Sequence, residues 1–419
     1  MMQIQIEKLA FGGAGVGRIE GKVVFVRGGL PGEVLKITIT KERGRYSEAE
    51  IDDIVAPAPE RTNPRCPVFG KCGGCQWQHL DYLAQLKAKE VILRETLERI
   101  GGVKHTEIEP IVPSLKQYGY RNRVTLSAWY QKGVCNIGYH EEGSRNKVRI
   151  DACPIALKSI EETIFRLSQS LSSMNAPRSS LEKIHIASDE KKAYITLVPP
   201  SAGGQRKLNS LRDHIMKFVD TDKVGIWGDT EAEFEFTLLG LKFYSAASIF
   251  IQANREIHQR LVETLLDWSG LGGDERVLDL YSGIGNFSLH LAKRCKAVVG
   301  VDVSAKAVNL AKKNAEENSI SNATFDASPA ELFVGESVKR GERFDLIVLD
   351  PPREGAKEIL GELAGLFPRR IIYVSCDPPT LARDLRTLAG LGYITAKIRP
   401  FDMFPQTYHI ESIALLLKI

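Results

Sequence analysis

Residues 276–288 read Arg-Val-Leu-Asp-Leu-Tyr-Ser-Gly-Ile-Gly-Asn-Phe-Ser, and this stretch decides the fold of the C-terminal half. Its first five residues form an apolar run that predicts a buried strand, and Gly283 and Gly285 follow in a loop that enters a helix. Glycines let the backbone approach a ligand, and a helix N-terminus presents free N–H groups. The next strand, residues 297–301, ends at Asp302, where an acidic side chain can bind ribose hydroxyls. The pattern predicts an α/β domain with a doubly wound sheet.

The glycine loop leaves two cofactor classes open, because a dinucleotide and S-adenosylmethionine both bind such loops. Phe287 and Ser288 stand where a dinucleotide fingerprint continues to a third glycine, which argues against NAD. Two further polar groups lie near the same sheet edge. The stretch 250–254, Phe-Ile-Gln-Ala-Asn, carries amides that can hold a base edge or a cofactor carboxylate. The stretch 350–353, Asp-Pro-Pro-Arg, places an aspartate on a rigid turn after another strand.

Cys376 lies within Ser-Cys-Asp-Pro-Pro, residues 375–379, directly after a short apolar strand. The carboxyl ends of the strands form the ligand crevice of an open α/β sheet. A thiol there is accessible and held on a stiff turn, as a nucleophile requires. A lone cysteine is more often a small core residue. The cofactor loop, the Asp350 turn and the segment 402–412 all lie at strand ends of the same domain, and together they favour a nucleophile.

Length and composition indicate a globular protein of two or three domains, with 419 residues, 43% hydrophobic and 26% charged. No apolar run is long enough to cross a bilayer, and the N-terminus lacks the basic start and apolar core of a signal peptide. We therefore expect a cytoplasmic protein without a membrane partner. Seven cysteines in such a protein indicate metal binding or catalysis rather than disulfides.

Residues 1–57 predict a small OB-like β barrel, because short apolar runs alternate with Gly-rich turns. Several basic side chains of this segment are suited to follow a phosphate backbone. They are Arg27, Lys36, Lys41, Arg43 and Arg45. Because of these basic residues the barrel is predicted to bind RNA, and ordinary surface charge is the alternative explanation. A proline-rich linker follows the barrel.

Cys66, Cys72 and Cys75 have the spacing C-x5-C-x2-C, with two glycines that let the backbone fold around a bound centre. A closed metal site needs a fourth ligand. The candidates are Cys153 and Cys135, and Cys153 is favoured because a proline follows it, as one follows Cys66. The spacing alone does not separate zinc from a [4Fe–4S] cluster.

The middle of the chain, residues 58–245, is predicted as a separate α+β domain that precedes a C-terminal domain of residues 246–419. Residues 81–100 predict an amphipathic helix, with an apolar side made of Leu83, Leu86, Val91, Leu93, Leu97 and Ile100. Basic side chains outnumber acidic ones between residues 85 and 150. Within that region, residues 118–123 interleave tyrosine with arginine, which suits stacking on bases and pairing with phosphate. A strand edge packed by two tyrosines is the alternative.

The chain resembles the RNA uracil-5-methyltransferase family, which joins a TRAM domain to a class I methyltransferase fold. The resemblance covers essentially the whole chain, and the cysteine-containing motif is highly specific. It rests on residues 250–254, 279–287, 350–353, 375–384, 402–405 and 409–411. The set of four cysteines resembles the [4Fe–4S] branch, which is best known from 23S rRNA enzymes.

This resemblance implies transfer of a methyl group from S-adenosylmethionine to C5 of a uridine in RNA, with rRNA favoured over tRNA. Cys376 would be the nucleophile and Glu411 the base, with His409 the next candidate. The residues expected to line the cofactor and base pocket are Gln252, Tyr281, Gly283, Gly285, Asn286, Asp302 and Asp350. A [4Fe–4S] cluster would be held by Cys66, Cys72, Cys75 and Cys153. We expect a monomer.

Two positions depart from the family pattern. Asp302 stands where the family often has Glu. After the third strand the family has Asn or Asp, but residues 325–331 leave the adenine contact open among Asp326, Ser328 and Pro329.

Two other functions compete with this interpretation. The Asp-Pro-Pro turn resembles the motif of amine N-methyltransferases, but Arg353 replaces their aromatic residue and that class needs no cysteine nucleophile. A non-catalytic RNA-binding iron–sulfur module is the other, and intact Cys376 and Glu411 argue against it. A tRNA enzyme shares all these motifs with an rRNA enzyme.

Overall fold

The structure is a computed structural model that describes residues 2–104, 106–173, 181–201, 204–219, 221 and 223–419. Its strands are β1 (Met2–Leu9), β2 (Gly15–Ile19), β3 (Lys22–Val26), β4 (Val34–Glu42), β5 (Tyr46–Ala56), β6 (Glu107–Ile108), β7 (Arg123–Gln131), β8 (Val134–His140), β9 (Lys147–Arg149), β10 (Lys183–Ser188), β11 (Ala193–Val198), β12 (Val224–Ile226), β13 (Glu233–Leu238), β14 (Leu241–Ala246), β15 (Arg276–Leu280), β16 (Ala297–Asp302), β17 (Ala323–Ala327), β18 (Leu346–Leu349), β19 (Arg370–Ser375), β20 (Tyr393–Phe401) and β21 (Glu411–Lys418).

The helices are α1 (Tyr82–Thr96), α2 (Lys158–Ser173), α3 (Asn209–Val219), α4 (Arg255–Ser269), α5 (Asn286–Ala292), α6 (Ala305–Glu317), α7 (Ala330–Lys339), α8 (Leu360–Leu363) and α9 (Pro378–Gly390). A π-helical turn, Leu97–Gly101, continues α1 directly. Within the described ranges, no helix is both long and apolar enough to cross a membrane.

The N-terminal strands form a closed five-stranded barrel in the order β1-β2-β3-β5-β4. Alternating side chains of these strands point inward, as expected for a barrel wall with one buried face. The buried core consists of Ile4, Ile6, Val24, Val26, Leu35, Ile37 and Ala49. The predicted barrel is confirmed.

A second sheet, in the middle of the chain, has six strands in the order β12-β11-β10-β7-β8-β9. Its neighbouring strands are antiparallel except for the parallel pair β11–β12. Helices α2 and α3 pack against this sheet through Ile160, Ile164, Leu167 and Leu211. The described part of the middle region therefore contains a mostly antiparallel sheet with two helices, and its status as a separate α+β domain stays a prediction.

The C-terminal sheet has eight strands in the order β17-β16-β15-β18-β19-β21-β20-β6. Strands β15 to β19 are parallel, and β21 runs antiparallel between β19 and β20. Successive residues of β18 belong to two different hydrophobic clusters, so both faces of the sheet are covered. Helices α4, α5 and α6 contribute to one cluster, and α1, α7, α8 and α9 contribute to the other. The predicted doubly wound sheet is confirmed.

The chain before residue 246 also contributes to this sheet. Strand β6 extends the sheet through parallel pairing with β20. Helix α1 buries Ile92 and Leu93 in the same cluster as α9. The division at residues 57 and 245 stays a prediction.

The buried face of α1 differs from the predicted one. Leu83 and Val91, expected on the apolar side, are 74% and 42% exposed. Gln85 and Lys89 are buried instead, because the segment Asp402 to Gln406 offers them polar partners. The prediction is confirmed for Leu93 and Leu97, which are buried, and was wrong for Leu83 and Val91.

Candidate active site

Cys376 occupies the turn between β19 and α9, at the carboxyl end of a strand inside the sheet. Asp377 caps α9, because its Oδ1 accepts a hydrogen bond from the backbone N–H of Thr380 at 3.0 Å. The hydroxyl of Ser375 accepts a hydrogen bond from the backbone N–H of Asp377 at 3.2 Å. Pro378 begins the helix with a fixed backbone angle. The half-buried thiol thus lies on a stiff turn, and its role as nucleophile stays a prediction.

Glu411 begins β21, the strand that pairs with β19, and is 2% exposed. Burial, and then the negative charges of Glu411 and Asp350, raise the pKa of Cys376 to about 12. Burial, and then the charge of Asp350, raise the pKa of Glu411 well above its usual range. The Arg353 guanidinium lowers both pKa values. Charges act on a pKa in this way when the groups are neighbours, and the strands β18, β19 and β21 that carry these groups lie side by side in the sheet.

Asp350 follows β18, and its carboxylate accepts a hydrogen bond from Nε2 of Gln252 at 3.4 Å. Burial and the charge of Asp279 raise the pKa of Asp350 to about 7. Burial also raises the pKa of Asp279 to about 7, although the hydroxyl of Ser288 donates to its Oδ2. A cationic ligand would stabilise the ionised forms of these carboxyl groups.

The glycine loop after β15 is held in place by Asp302. Oδ2 of Asp302 accepts a hydrogen bond from the backbone N–H of Gly283 at 2.9 Å, and its Oδ1 accepts one from Ser304 at 2.8 Å. Tyr281 opens the loop with a φ of 65°. Gly285, with a φ of 86°, is the cap of α5, and a Cβ there would lie 3.1 Å from the Phe325 ring. Only glycine fits such a position without strain.

Several buried polar atoms around this loop have no hydrogen-bond partner within the described part of the chain. They are Oδ1 of Asp279, Oγ of Ser282, Oδ1 of Asn286 and Oγ of Ser328. Native proteins rarely leave such groups unsatisfied, so a polar ligand is expected there. Of the three residues open for the adenine contact, Asp326 and Pro329 are exposed. The buried hydroxyl of Ser328 is the one that faces inward.

Arg353 was noted in the sequence as the last residue of the Asp-Pro-Pro-Arg stretch and as a departure from an aromatic motif, and the structure gives its exposed side chain a contact with His409. Its Nη2 lies 3.3 Å from Nε2 of His409. Burial, and then the charge of Arg353, lower the pKa of His409 to about 3, so this ring is neutral and can accept from the guanidinium. The sequence feature that could have pointed to a role for Arg353 was its position directly after Asp-Pro-Pro.

Four cysteines line one cavity of about 240 Å³ next to the six-stranded sheet: Cys66, Cys72, Cys75 and Cys153. Burial, and beyond it the charges of the other three thiols, raise the pKa of Cys75 to about 12. Cys135, the other candidate, is buried in the hydrophobic core of the middle region. Among the described residues, no group of three or more histidine, cysteine or acidic side chains is arranged to hold a single metal ion. The metal site therefore stays a prediction.

The stretch predicted to stack on RNA makes contacts within the chain. Tyr120 is buried, and its hydroxyl donates to the carbonyl of Pro405 at 3.0 Å. Arg123 donates through Nε to the carbonyl of Ala247 at 3.2 Å. Arg121 lines the cavity of the four cysteines. These contacts favour the alternative interpretation, in which the tyrosines and arginines pack the edge of a strand.

The basic residues of the barrel fall into two groups. Arg27, Lys36 and Lys41 form ion pairs with Glu142, Asp53 and Glu48. Arg43 and Arg45 are exposed at the turn between β4 and β5, and the ion pairs found among the described residues do not include them. This turn is therefore the part of the predicted RNA surface with free positive charge.

The sheet order, the glycine loop and the carboxylates at the strand ends define a class I methyltransferase. The family model described as tRNA (Uracil-5-)-methyltransferase matches residues 239–419, and the TRAM domain model matches residues 1–51. An uncharacterised RNA methyltransferase of Thermosynechococcus vestitus is 34% identical, with 99% of this chain and 97% of the relative covered. The 23S rRNA (uracil(1939)-C(5))-methyltransferase RlmD of Aeromonas hydrophila is 35% identical, with 99% and 96% covered.

A solved structure has a similar overall arrangement. It is the tRNA (uracil-54, C5)-methyltransferase of Pyrococcus abyssi in complex with S-adenosyl-L-homocysteine, at a TM-score of 0.75 and 26% identity, over 99% of this chain and 100% of that one. The chain belongs to the RNA uracil-5-methyltransferase family. It is an enzyme that uses S-adenosylmethionine to methylate C5 of uracil in RNA.

Proposed function

We propose that this enzyme methylates a uridine of 23S rRNA through a covalent bond between Cys376 and C6 of the uracil. The observation that carries the mechanism is that Cys376, Glu411 and the Asp350–Arg353 turn lie at the ends of the adjacent strands β19, β21 and β18. Asp350 follows β18, which also pairs with β15, the strand before the glycine loop, and its carboxylate accepts a hydrogen bond from Gln252. The roles of Cys376 and Glu411 and of the residues around the glycine loop are part of this proposal.

C5 of uracil is a poor nucleophile, which is why a covalent step is useful. Addition of the Cys376 thiolate to C6 moves the electron pair of the C5–C6 double bond toward C5 and the neighbouring carbonyl. S-adenosylmethionine would supply an electrophilic methyl group on a sulfonium ion. C5 takes up that methyl as the S–CH3 bond breaks, and S-adenosylhomocysteine leaves with the electron pair of that bond. Glu411 then removes the C5 proton, the C5–C6 double bond returns, and the thiolate leaves.

Burial and the nearby carboxylates raise the pKa of Cys376, so its thiol must first lose a proton before it adds to C6. Arg353 is the cation that favours ionisation of Cys376, against the effects of Glu411, Asp350 and Asp377. The buried Glu411 holds its proton more tightly than an exposed carboxyl does, which makes it a stronger base once it is ionised. Asp302 and the loop it holds would bind the cofactor, and Ser328 is our candidate for the adenine contact.

The uracil must leave its stack to be reached on both faces of the ring. We propose that the exposed Arg43–Arg45 turn of the barrel binds the RNA backbone while this happens. The three-domain division and a monomeric state belong to the same proposal.

The rRNA assignment rests on the relatives, several of which are 23S rRNA enzymes at 34% and 35% identity. A tRNA substrate is the second candidate, because the structurally similar Pyrococcus abyssi enzyme acts on tRNA. Mapping 5-methyluridine in rRNA and tRNA from a deletion strain decides between them. An amine N-methyltransferase is less favoured, because it would leave the paired Cys376 and Glu411 without a use.

The covalent mechanism is tested with RNA that contains 5-fluorouridine, because fluorine cannot be removed as a proton is. Wild-type enzyme with S-adenosylmethionine should give a protein–RNA band that survives denaturation, and Cys376→Ala should give none. Cys295→Ala, at a buried cysteine of the same domain, should behave as wild type. A band of normal intensity from Cys376→Ala would overturn the assignment.

We further propose that Cys66, Cys72, Cys75 and Cys153 hold a [4Fe–4S] cluster. Four thiols around one cavity fit such a cluster. A single zinc ion would instead need the sulfur atoms to converge on one point, each at about 2.3 Å from the ion. The hydroxyl of Tyr139 donates a hydrogen bond to the sulfur of Cys153 at 3.9 Å, so it would hold this cysteine in place beside the cluster. The cluster would organise the middle region rather than take part in turnover.

A further inference from the structure

The loop between β1 and β2 connects the barrel to the segment just before Glu411. Phe11 of this loop meets the ring of Tyr408 edge to face, with ring centroids 5.3 Å apart. The indole N–H of Trp77 donates to the carbonyl of Gly13 at 3.0 Å. A Cβ at Gly13 would lie 3.3 Å from the Tyr408 ring. The loop is therefore seated closely on Tyr408.

Phe11 contributes little to the barrel itself. It packs against the hydrophobic cluster of the C-terminal sheet, together with Tyr408. The core of the barrel is a separate cluster, formed by inward-facing residues such as Ile6 and Val26. Removal of the Phe11 ring therefore leaves the barrel core as it is.

From Tyr408, contacts continue to the reacting groups. The rings of Tyr408 and His409 lie 4.3 Å apart, and Nε2 of His409 lies 3.3 Å from Nη2 of Arg353. Arg353 is otherwise exposed, so His409 is the contact that fixes the direction of its guanidinium. Arg353 follows β18, which pairs with β19, the strand that ends at Cys376. At this sheet edge its positive charge favours the Cys376 thiolate.

We propose that Phe11 is a positioning residue of this methyltransferase: it holds Tyr408 and His409, and through them the Arg353 guanidinium, at the sheet edge where Cys376 lies. The barrel would then contribute to the rate of the chemical step as well as to RNA binding. This inference rests on the proposed covalent mechanism. It differs from a role in RNA affinity, because a misplaced cation slows thiolate addition after the RNA has bound.

The test measures adduct formation with 5-fluorouridine RNA in single turnover, at saturating RNA, beside the Kd for the same RNA. Phe11→Ala should slow the adduct by about tenfold or more and leave the Kd within about twofold. Tyr408→Ala should act alike, and Tyr408→Phe should restore most of the rate, because the ring contact is kept. The double variant should be no slower than the slower single variant, since both remove the same contact.

Phe25→Ala is the matched control, because Phe25 makes an edge-to-face pair with Tyr46 within the barrel, at 5.5 Å. Its adduct rate at saturating RNA should equal that of wild type. Binding of S-adenosylhomocysteine and circular dichroism check each variant for folding, and Phe11→Leu replaces Phe11→Ala if that variant fails to fold.

Three results would overturn the inference: a wild-type rate for Phe11→Ala, a loss confined to the Kd, or losses that multiply in the double variant. Wild-type enzyme that forms no adduct would instead remove the covalent mechanism, and the inference with it. The two failures are therefore distinguishable. If only the inference about Phe11 fails, the wild-type enzyme still forms the adduct.

Discussion

Nζ of Lys89 lies 2.5 Å from Oδ1 of Asp402, and neither side chain is exposed to solvent. The second oxygen of Asp402 accepts a hydrogen bond from the hydroxyl of Tyr82 at 2.7 Å. Lys89 also donates to the carbonyl of Phe404 at 3.1 Å. Helix α1 thereby holds the segment that leads to Glu411.

Replacement of Lys89 by methionine should destabilise the protein strongly. Removal of one partner from a buried ion pair leaves the other charge uncompensated, at a cost of about 3–5 kcal/mol. Urea unfolding gives the change in the free energy of unfolding. Lys87→Met, at an exposed position of the same helix, should change it by less than about 0.5 kcal/mol. Equal effects of the two variants would contradict a structural role for the pair.

Replacement of Glu411 by glutamine should trap the reaction after methyl transfer. The thiolate can still add and C5 can still be methylated, but the C5 proton has no base, so a protein–RNA band should accumulate with ordinary uridine RNA. Turnover should fall by about 10²–10⁴-fold. Glu354→Gln, at an exposed carboxyl after Arg353, serves as the control. A fully active Glu411→Gln enzyme without a trapped band would move the base to another residue, His409 being next.

The ligand-free protein should become less stable as the pH rises toward neutrality. Burial and Asp279 raise the pKa of Asp350 from 3.8 to about 7, so the native state keeps a proton that the unfolded chain has released. The free energy of unfolding then falls with rising pH across that window. In Asp350→Asn this part of the fall should vanish, as measured by the Tm from about pH 5 to about pH 8. Asp326→Asn, at an exposed position, should follow the wild-type curve.

Replacement of Cys153 by serine should abolish the iron cluster, and replacement of Cys135 should not. Cys153 lines the cavity of the other three cysteines, and Cys135 lies in the apolar core. Anaerobically purified wild type and Cys135→Ser should be brown, with about four irons per chain. Stoichiometric zinc without visible absorbance would rule out the cluster, and a brown Cys153→Ser variant would reject Cys153 as the fourth ligand.

The turn at the tip of β4 and β5 should dominate the salt dependence of RNA binding. When a cation that pairs with a phosphate is removed, the slope of log K against log salt becomes shallower by about one. Arg43→Ala with Arg45→Ala should therefore weaken RNA binding, flatten the slope and leave S-adenosylhomocysteine binding unchanged. Arg340→Ala, at the residue that follows α7 and pairs with Glu342, is the control. RNA affinity independent of salt would contradict the assignment.

The sequence predicted the elements whose signals are local. The strand before Cys376, the loop of Gly283 and Gly285 and the barrel are encoded by short apolar runs and by glycine, and the structure has them at those positions. The ends of parallel strands meet at one edge of a sheet, which is why Asp302 and Asp350 could be expected near Cys376.

Contacts between segments that are distant in the sequence were not predicted. The buried face of α1 depends on Asp402, far along the chain, so periodicity alone pointed to Leu83 and Val91 instead of Lys89. The place of Arg121 in the cysteine cavity is likewise a product of tertiary packing. A strand as short as β6 has too few residues for any recognisable pattern.

The short strand β6 affects whether the C-terminal domain can be produced as a separate fragment. Its pairing through Glu107 and Ile108 covers part of the outer side of β20, which would otherwise be an open edge of the C-terminal sheet. Open edges recruit strands from other molecules and promote aggregation. A fragment that starts at residue 239 would expose this edge together with the apolar surface that α1 now covers. The catalytic half therefore depends for its solubility on residues that precede it by more than a hundred positions.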